Sequence, residues 1–161
     1  MKISAKRMAV LREHVRAESE HDMETLLAGM TSDCFNDVAG VPKPFIGLEQ
    51  TAERYRKHWE GFPDFTVRVR RVLCADESCI VTENEWRGTH LGTFLGWPAT
   101  GKPARMRAIV VWHFKGDELW DAPKSSSSPG IALPGWAWSS SSHSHCPARA
   151  ADSPSARAVM S

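Results

Sequence analysis

Residues 96–103 read Gly96-Trp97-Pro98-Ala99-Thr100-Gly101-Lys102-Pro103. This is the G-x-x-x-x-G-K spacing of a phosphate-binding loop. In such a loop the backbone N–H groups cradle phosphates, and a Ser or Thr after the Lys reaches a magnesium ion. Here that position is Pro103, which has no hydroxyl, and Pro98 inside the loop has no N–H to give. The segment before it, "THLGTFLG", is not a buried apolar strand. The segment after it, "ARMRAIVVWHF", is β-branched and aromatic and reads as a strand, where a phosphate loop opens a helix. The stretch is therefore expected to be a loop joining two strands.

Other reactive side chains are scattered. Cys74 and Cys79 bracket "ADES" without a matching second pair, so reduced thiols flanking a turn are expected. His143, His145 and Cys146 lie close together near the C-terminus, a weak metal-ligand signal. No metal site is expected from them.

One strand stands out. In "CIVTENEWRGTH", alternation puts Ile80, Thr82, Asn84 and Trp86 on one face with His90 in phase. Ile80 and Trp86 make that face the buried one, so Asn84 is expected to project inward as a polar handle. Glu83, Glu85 and Arg87 fall on the other face. Arg105 and Arg107 read as solvent-facing strand residues without an obvious acidic partner, or as a contact for an acidic substrate group. Trp59, Trp86, Phe94, Trp97 and Trp112 supply large rings for a core or a substrate-binding surface.

The elements that would position these residues follow from periodicity. Met8, Val10, Leu11 and Val15, then Met23, Leu26, Leu27 and Met30, repeat at helical spacing. Two helices are expected, with a break near Glu20-His21-Asp22 and Asp22 as a cap. "DCFNDVAG" reads as a short strand and "VPKPFIG" as a loop. "LEQTAERYRKHWEGF" is a third helix with Leu48, Ala52, Tyr55 and Trp59 on one stripe. Strands follow at "FTVRVRRVLC", "CIVTENEWRGTH" and "ARMRAIVVWHF", with the turn "KGDE" leading into "LWD". Helices first and an antiparallel meander after them make an α+β layout.

The chain has 161 residues, 42% hydrophobic, with a formal net charge of +1. That is enough for one core, and bulk charge gives no argument for nucleic acid or an anionic membrane. No run of apolar residues is long enough to span a bilayer, and the charged N-terminus lacks the apolar core of a leader peptide. A cytoplasmic protein is expected. From Pro123 the composition changes: 12 Ser and 5 Pro in 39 residues, with Asp152 the lone acid. The division expected is a domain over 1–122 and a disordered Ser/Pro-rich tail over 123–161. The abrupt switch is also what a disrupted reading frame would produce.

"FPDFTVRVRRVL", "GTHLGTFLGWPATGKP" and "FKGDEL" together resemble the SnoaL-like polyketide cyclases and the related ester cyclases, within the nuclear transport factor 2-like superfamily. The resemblance runs from about residue 6 to about residue 120. It implies a cone: a strongly curved antiparallel sheet wrapped around N-terminal helices, enclosing a pocket. It also implies cofactor-independent acid/base chemistry on a small hydrophobic carbonyl-bearing molecule, such as an aldol-type ring closure or a related isomerisation or hydrolysis. A homodimer is implied as well. The alternative is a non-catalytic ligand-binding or dimerisation domain, since this fold serves both purposes.

Residue by residue, His90 is the His of the GTH motif, and Asp121 in "GDELWDAP" matches the Asp that the family uses as base. Asp121 lies about two residues early, counted from the turn glycine, with Pro123 at the usual position. Asp37, Glu53 and Glu60 are further carboxylates to weigh. Asn84, Trp86, Trp59, Phe94, Trp97 and Trp112 are the expected substrate contacts. The full last strand and closing helix usual in the family are missing here.

Overall fold

The computed structural model describes residues 4–38, 41–76, 79–121 and 126–127. Helix α1 spans Ala5–Glu20 and α2 spans Met23–Ala28. The break between them is at His21, in the left-handed region at φ 59°. Asp22 caps α2 by accepting the Thr25 N–H at 3.1 Å. The third helix, α3, spans Gly47–Gly61 and buries Ala52 and Tyr55, with Leu48 and Trp59 packed against the core beside them. All three helices thus lie where periodicity puts them, except that Met30, expected on the second helix, opens the first strand instead, because Gly29 ends α2.

The strands are β1 (Met30–Asn36), β2 (Phe45–Ile46), β3 (Thr66–Ala75), β4 (Cys79–Thr89), β5 (Pro103–Lys115), β6 (Glu118–Asp121) and β7 (Ser126–Ser127). They form an open sheet in the order β2-β1-β6-β5-β4-β3, with β7 also on β5. Two expectations need correcting. The sheet is mixed, not wholly antiparallel, because β1 runs parallel to β6. The β5–β6 hairpin fixes the direction of β6, and β1 comes from the helical layer to lie beside it. Second, "VPKPFIG" is not all loop: Phe45 and Ile46 pair with Asn36 and Phe35. Register shifts between Val69 and Arg71, and between Val72 and Cys74, mark irregularities that bend β3 against β4.

Alternation divides the central strands into two faces. Ile80, Thr82, Asn84 and Trp86 of β4 stand opposite Trp112, Val110, Ala108 and Met106 of β5. On the other side Val67 and Val69 of β3 stand opposite Trp86 and Asn84. This face meets the helices, and the core is built there from Leu11, Val15, Tyr55, Val67, Ile80, Val110 and Trp112. No helix among the described residues is long and apolar enough to cross a membrane. Apart from Ser126–Ser127, paired with Ile109 and Ala108, everything expected of 123–161 lies outside the described residues.

Candidate functional site

Asn84 occupies the inner face of β4 as its alternation requires, and is 1% exposed. Its Oδ1 has no hydrogen-bond partner. Trp86 shares that face, and its Nε1 is likewise buried and unpaired. From α3, Trp59 stacks on His21 at 4.7 Å and lies 5.7 Å from Tyr55, again with an unpaired Nε1. Asn36, at the end of β1, is fully buried with neither side-chain polar atom satisfied. By contrast Trp112 is spoken for: its Nε1 donates to Thr82 Oγ1 at 2.8 Å.

His90 sits at the turn out of β4. Its N–H donates to the Lys102 carbonyl at 3.0 Å, and its own carbonyl accepts from Thr100 and Gly101. Its Nδ1 lies 3.2 Å from Thr100 Oγ1, and its ring stacks on Phe62 at 5.1 Å. So His90 pins both ends of the 90–102 loop, while its Nε2 is buried without a partner. The same loop answers for the G-x-x-x-x-G-K string. Gly96 and Gly101 take positive φ as turn residues, and Pro103 opens β5. A Cβ on Gly92 would lie 2.1 Å from the Glu60 carbonyl oxygen. That glycine lets Leu91 and Gly92 donate to the Gly61 carbonyl at 3.0 and 3.1 Å, closing the loop onto the end of α3. Phe94 packs there against His58 and Phe62, whereas Trp97 is 40% exposed on the loop's outside.

Asp121 ends β6, its backbone in register with His113 and Phe35. Its side chain lies outside the described residues. Of the other carboxylates weighed, Glu53 pairs with Arg56 and Lys57 on the exposed side of α3.

A polar cluster that was not among the expected site residues lies between α1 and α3. His14 is buried and its Nε2 stands 3.2 Å from the Tyr55 hydroxyl. Arg54 places its guanidinium 4.0 Å over the Tyr55 ring, with Nε unpaired. Glu18, one turn after His14, is 4% exposed. Burial pushes its carboxyl up to about 7, opposed by the charge of Arg54. Burial, with Arg54 adding to it, drives His14 down to about 4. His58 falls to about 3 for the same reasons, with His21 contributing. The signal was present in the sequence: His14 and Glu18 lie in phase with the apolar stripe of Leu11 and Val15.

The sheet's other face corrects one expectation. Arg105 and Arg107 do have acidic partners. Glu85 is covered by Arg68 at 2.8 Å, Arg70 at 2.9 Å, Arg87 at 2.7 Å and Arg105. Glu83 takes Arg71 at 2.6 Å, with Arg70 and Arg107 at 3.8 and 3.9 Å. Hydrogen bonding from Arg105 first, against burial and with Arg87 and Arg70, holds the Glu85 carboxyl down to about 2. A surface cleft of about 460 Å³ beside this network, between Asp64, Arg87, Thr89 and Arg105, is open to solvent. Its carboxylate, Asp64, is already bonded to the Thr89 N–H and hydroxyl. The buried, unpaired polar atoms of Asn84 and Trp86 lie on the inner face instead.

The model of the SnoaL-like polyketide cyclases matches residues 8–122. The chain belongs to this family. Solved structures agree on the fold. A protein from Jannaschia sp. CCS1 assigned to the SnoaL-like polyketide cyclases superposes with a TM-score of 0.70 at 17% identity, over 79% of this chain and 88% of its own. One from Acidithiobacillus ferrooxidans, assigned as a polyketide cyclase, gives 0.65 at 24% identity, over 80% and 92%. IdmH from Streptomyces antibioticus, assigned likewise, gives 0.63 at 21% identity, over 75% and 91%. No curated protein matches the chain in sequence. Helices followed by an open, curved, mixed sheet are thus the architecture of this SnoaL-like domain.

Proposed function

We propose that this SnoaL-like domain, residues 1–122, is a cofactor-independent enzyme that moves protons on a hydrophobic, carbonyl-bearing small molecule held between helices and sheet. The reaction is an aldol-type ring closure or a related isomerisation or hydrolysis. The observation that carries this reading is the set of unpaired polar atoms on the inner face. Trp59 Nε1 and Trp86 Nε1, set among aromatic rings, and Asn36 Nδ2 are buried donors with nothing to donate to. Leaving one such group unsatisfied costs about 1–3 kcal/mol. A flat, apolar molecule edged with carbonyl oxygens pairs these donors and fills the space between the rings.

The chemistry requires a carboxylate to take a proton from the carbon beside a carbonyl, and donors to meet the oxygen as charge develops. Asp121 is the base that the family pattern indicates. His90 and Asn84 are its polar partners, and Trp59, Trp86, Phe94 and Trp112 are the substrate contacts; Trp97, on the outside of the loop, does not reach a substrate held there. The test needs no knowledge of the natural substrate. 2-Tetralone is a hydrophobic ketone with acidic α-protons, and NMR follows their exchange for deuterium in heavy water. Asp121→Asn is expected to slow the protein-catalysed exchange by about 100-fold or more. Exchange equal in both proteins and above the buffer rate removes Asp121 as the base; ketone binding with exchange at the buffer rate in both leaves a ligand-binding domain.

A further inference from the structure

Helix α1 crosses the sheet between two fixed points. His14 lies over β5, its ring 5.5 Å from that of Trp112. Ser19 lies on β3, its Oγ 2.9 Å from both the N and the O of Val67. The strand between β5 and β3 is β4. Helical residues four apart share a face, so Glu18 follows His14 by about one turn, roughly 6 Å along the axis, on the buried side. This carries its carboxyl toward the part of β4 that turns Thr82 and Asn84 inward. Other buried acids of the described residues are paired: Glu83 and Glu85 sit beneath arginines. Glu18 has no such support. Arg54 acts on it by charge, and no hydrogen bond holds its ionised form.

The geometry points to Glu18 as the general acid of this site: a carboxylic acid that donates its proton to the substrate oxygen. The assignment rests on the reading that the interior holds a carbonyl compound. Asp121 removes the proton from carbon; the C–H pair becomes the enolate double bond, and the carbonyl π pair moves onto oxygen. The Glu18 O–H meets that oxygen. In a ring closure the enolate carbon then bonds to a second carbonyl carbon, whose π pair becomes an alkoxide. Glu18 protonates the alkoxide, and the proton on Asp121 returns to Glu18 through solvent. The sum is an isomerisation, with nothing oxidised or reduced. Its uncompensated burial, which lifts the carboxyl to about 7, keeps the acid form populated near neutrality.

The probe is 3,4-dinitrophenolate, a coloured oxyanion that stays ionised from about pH 6 upward and stands in for the enolate. Wild-type affinity is expected to fall about tenfold for each pH unit above about 7, as Glu18 loses the proton it donates. Glu18→Gln keeps a neutral donor, so its affinity should be flat and should exceed that of wild type by tenfold or more at about pH 9. Binding by wild type that is independent of pH overturns the assignment and leaves the pocket reading standing. An unchanged pH dependence in Glu18→Gln overturns it too. No binding to either protein overturns the pocket reading and the assignment with it. If Glu18→Gln fails to fold, the wild-type Glu18 carboxyl is titrated by ¹³C NMR with and without the probe. A midpoint raised by the oxyanion supports the assignment, and an unmoved midpoint overturns it.

Discussion

At the scale of single residues, Gly92 and Glu85 show how local chemistry builds the site's frame. Gly92 has backbone where any side chain would go. Gly92→Ala forces the 90–102 loop away from α3, and the expected loss of stability is about 1–3 kcal/mol by urea unfolding. A change near zero would mean the loop is not held as described. Glu85 neutralises a ring of guanidinium groups. Glu85→Gln should lower the melting temperature, and added salt should restore part of the loss by screening the arginines from one another. Of these residues, alternation in β4 made the inward set of Asn84 and Trp86 legible. It also put Glu83, Glu85 and Arg87 on the opposite face. The arginine partners were not legible, because Arg68, Arg70, Arg105 and Arg107 meet these glutamates only once β3 and β5 are docked on β4. Glu18 was missed for a different reason. A charged residue inside "RAESEHD" reads as solvated, although it continues the stripe of Leu11 and Val15.

Among the elements, caps and periods decide the helices, and long-range pairing decides the sheet. The α1–α2 break needs Asp22: Asp22→Ala removes the bond to the Thr25 N–H and is expected to cost about 1 kcal/mol. The measurement is thermal unfolding of the two proteins side by side, and an unchanged midpoint contradicts the capping role. Both helices and their break were legible because cap and stripe are local. The parallel partnership of β1 with β6 was not, since residues about ninety apart in sequence meet there. A pattern of side chains marks a strand but not its neighbour. The family motif was more informative at this scale, because its glycines and His90 record how the 90–102 loop closes onto α3.

For the whole molecule, the buried titratable groups set how stability varies with pH. Glu18 is raised above its ordinary 4.5, so its contribution is complete below that value and is lost as pH rises to about 7. His14 and His58 are lowered below 6.5, so theirs is complete above 6.5 and lost as pH falls toward 4 and 3. Each unmatched proton changes stability by about 1.4 kcal/mol per pH unit. Between 4.5 and 6.5 the two histidines outweigh the one carboxyl, and stability rises. Above 6.5 the histidines are neutral in both states and Glu18 alone remains, so stability declines to about pH 7. Denaturant unfolding should therefore show a maximum near 6.5, and Glu18→Gln should turn the decline into a plateau. A monotonic wild-type profile would contradict the burial of these groups. On the outer sheet face, six arginines face two glutamates, an excess of four positive charges. A homodimer formed through this face should therefore tighten with added salt in sedimentation runs; weakening would place the interface elsewhere.

The central claim is that the inner face of this SnoaL-like domain binds a carbonyl compound and moves a proton without help from a bound group. Deuterium exchange into 2-tetralone by the chelator-treated wild-type protein tests it most directly. The account predicts α-proton exchange well above the buffer rate, at one face of the ketone, and suppressed by 3,4-dinitrophenolate as a competing oxyanion. Exchange at the buffer rate, by folded protein saturated with the ketone, would contradict it.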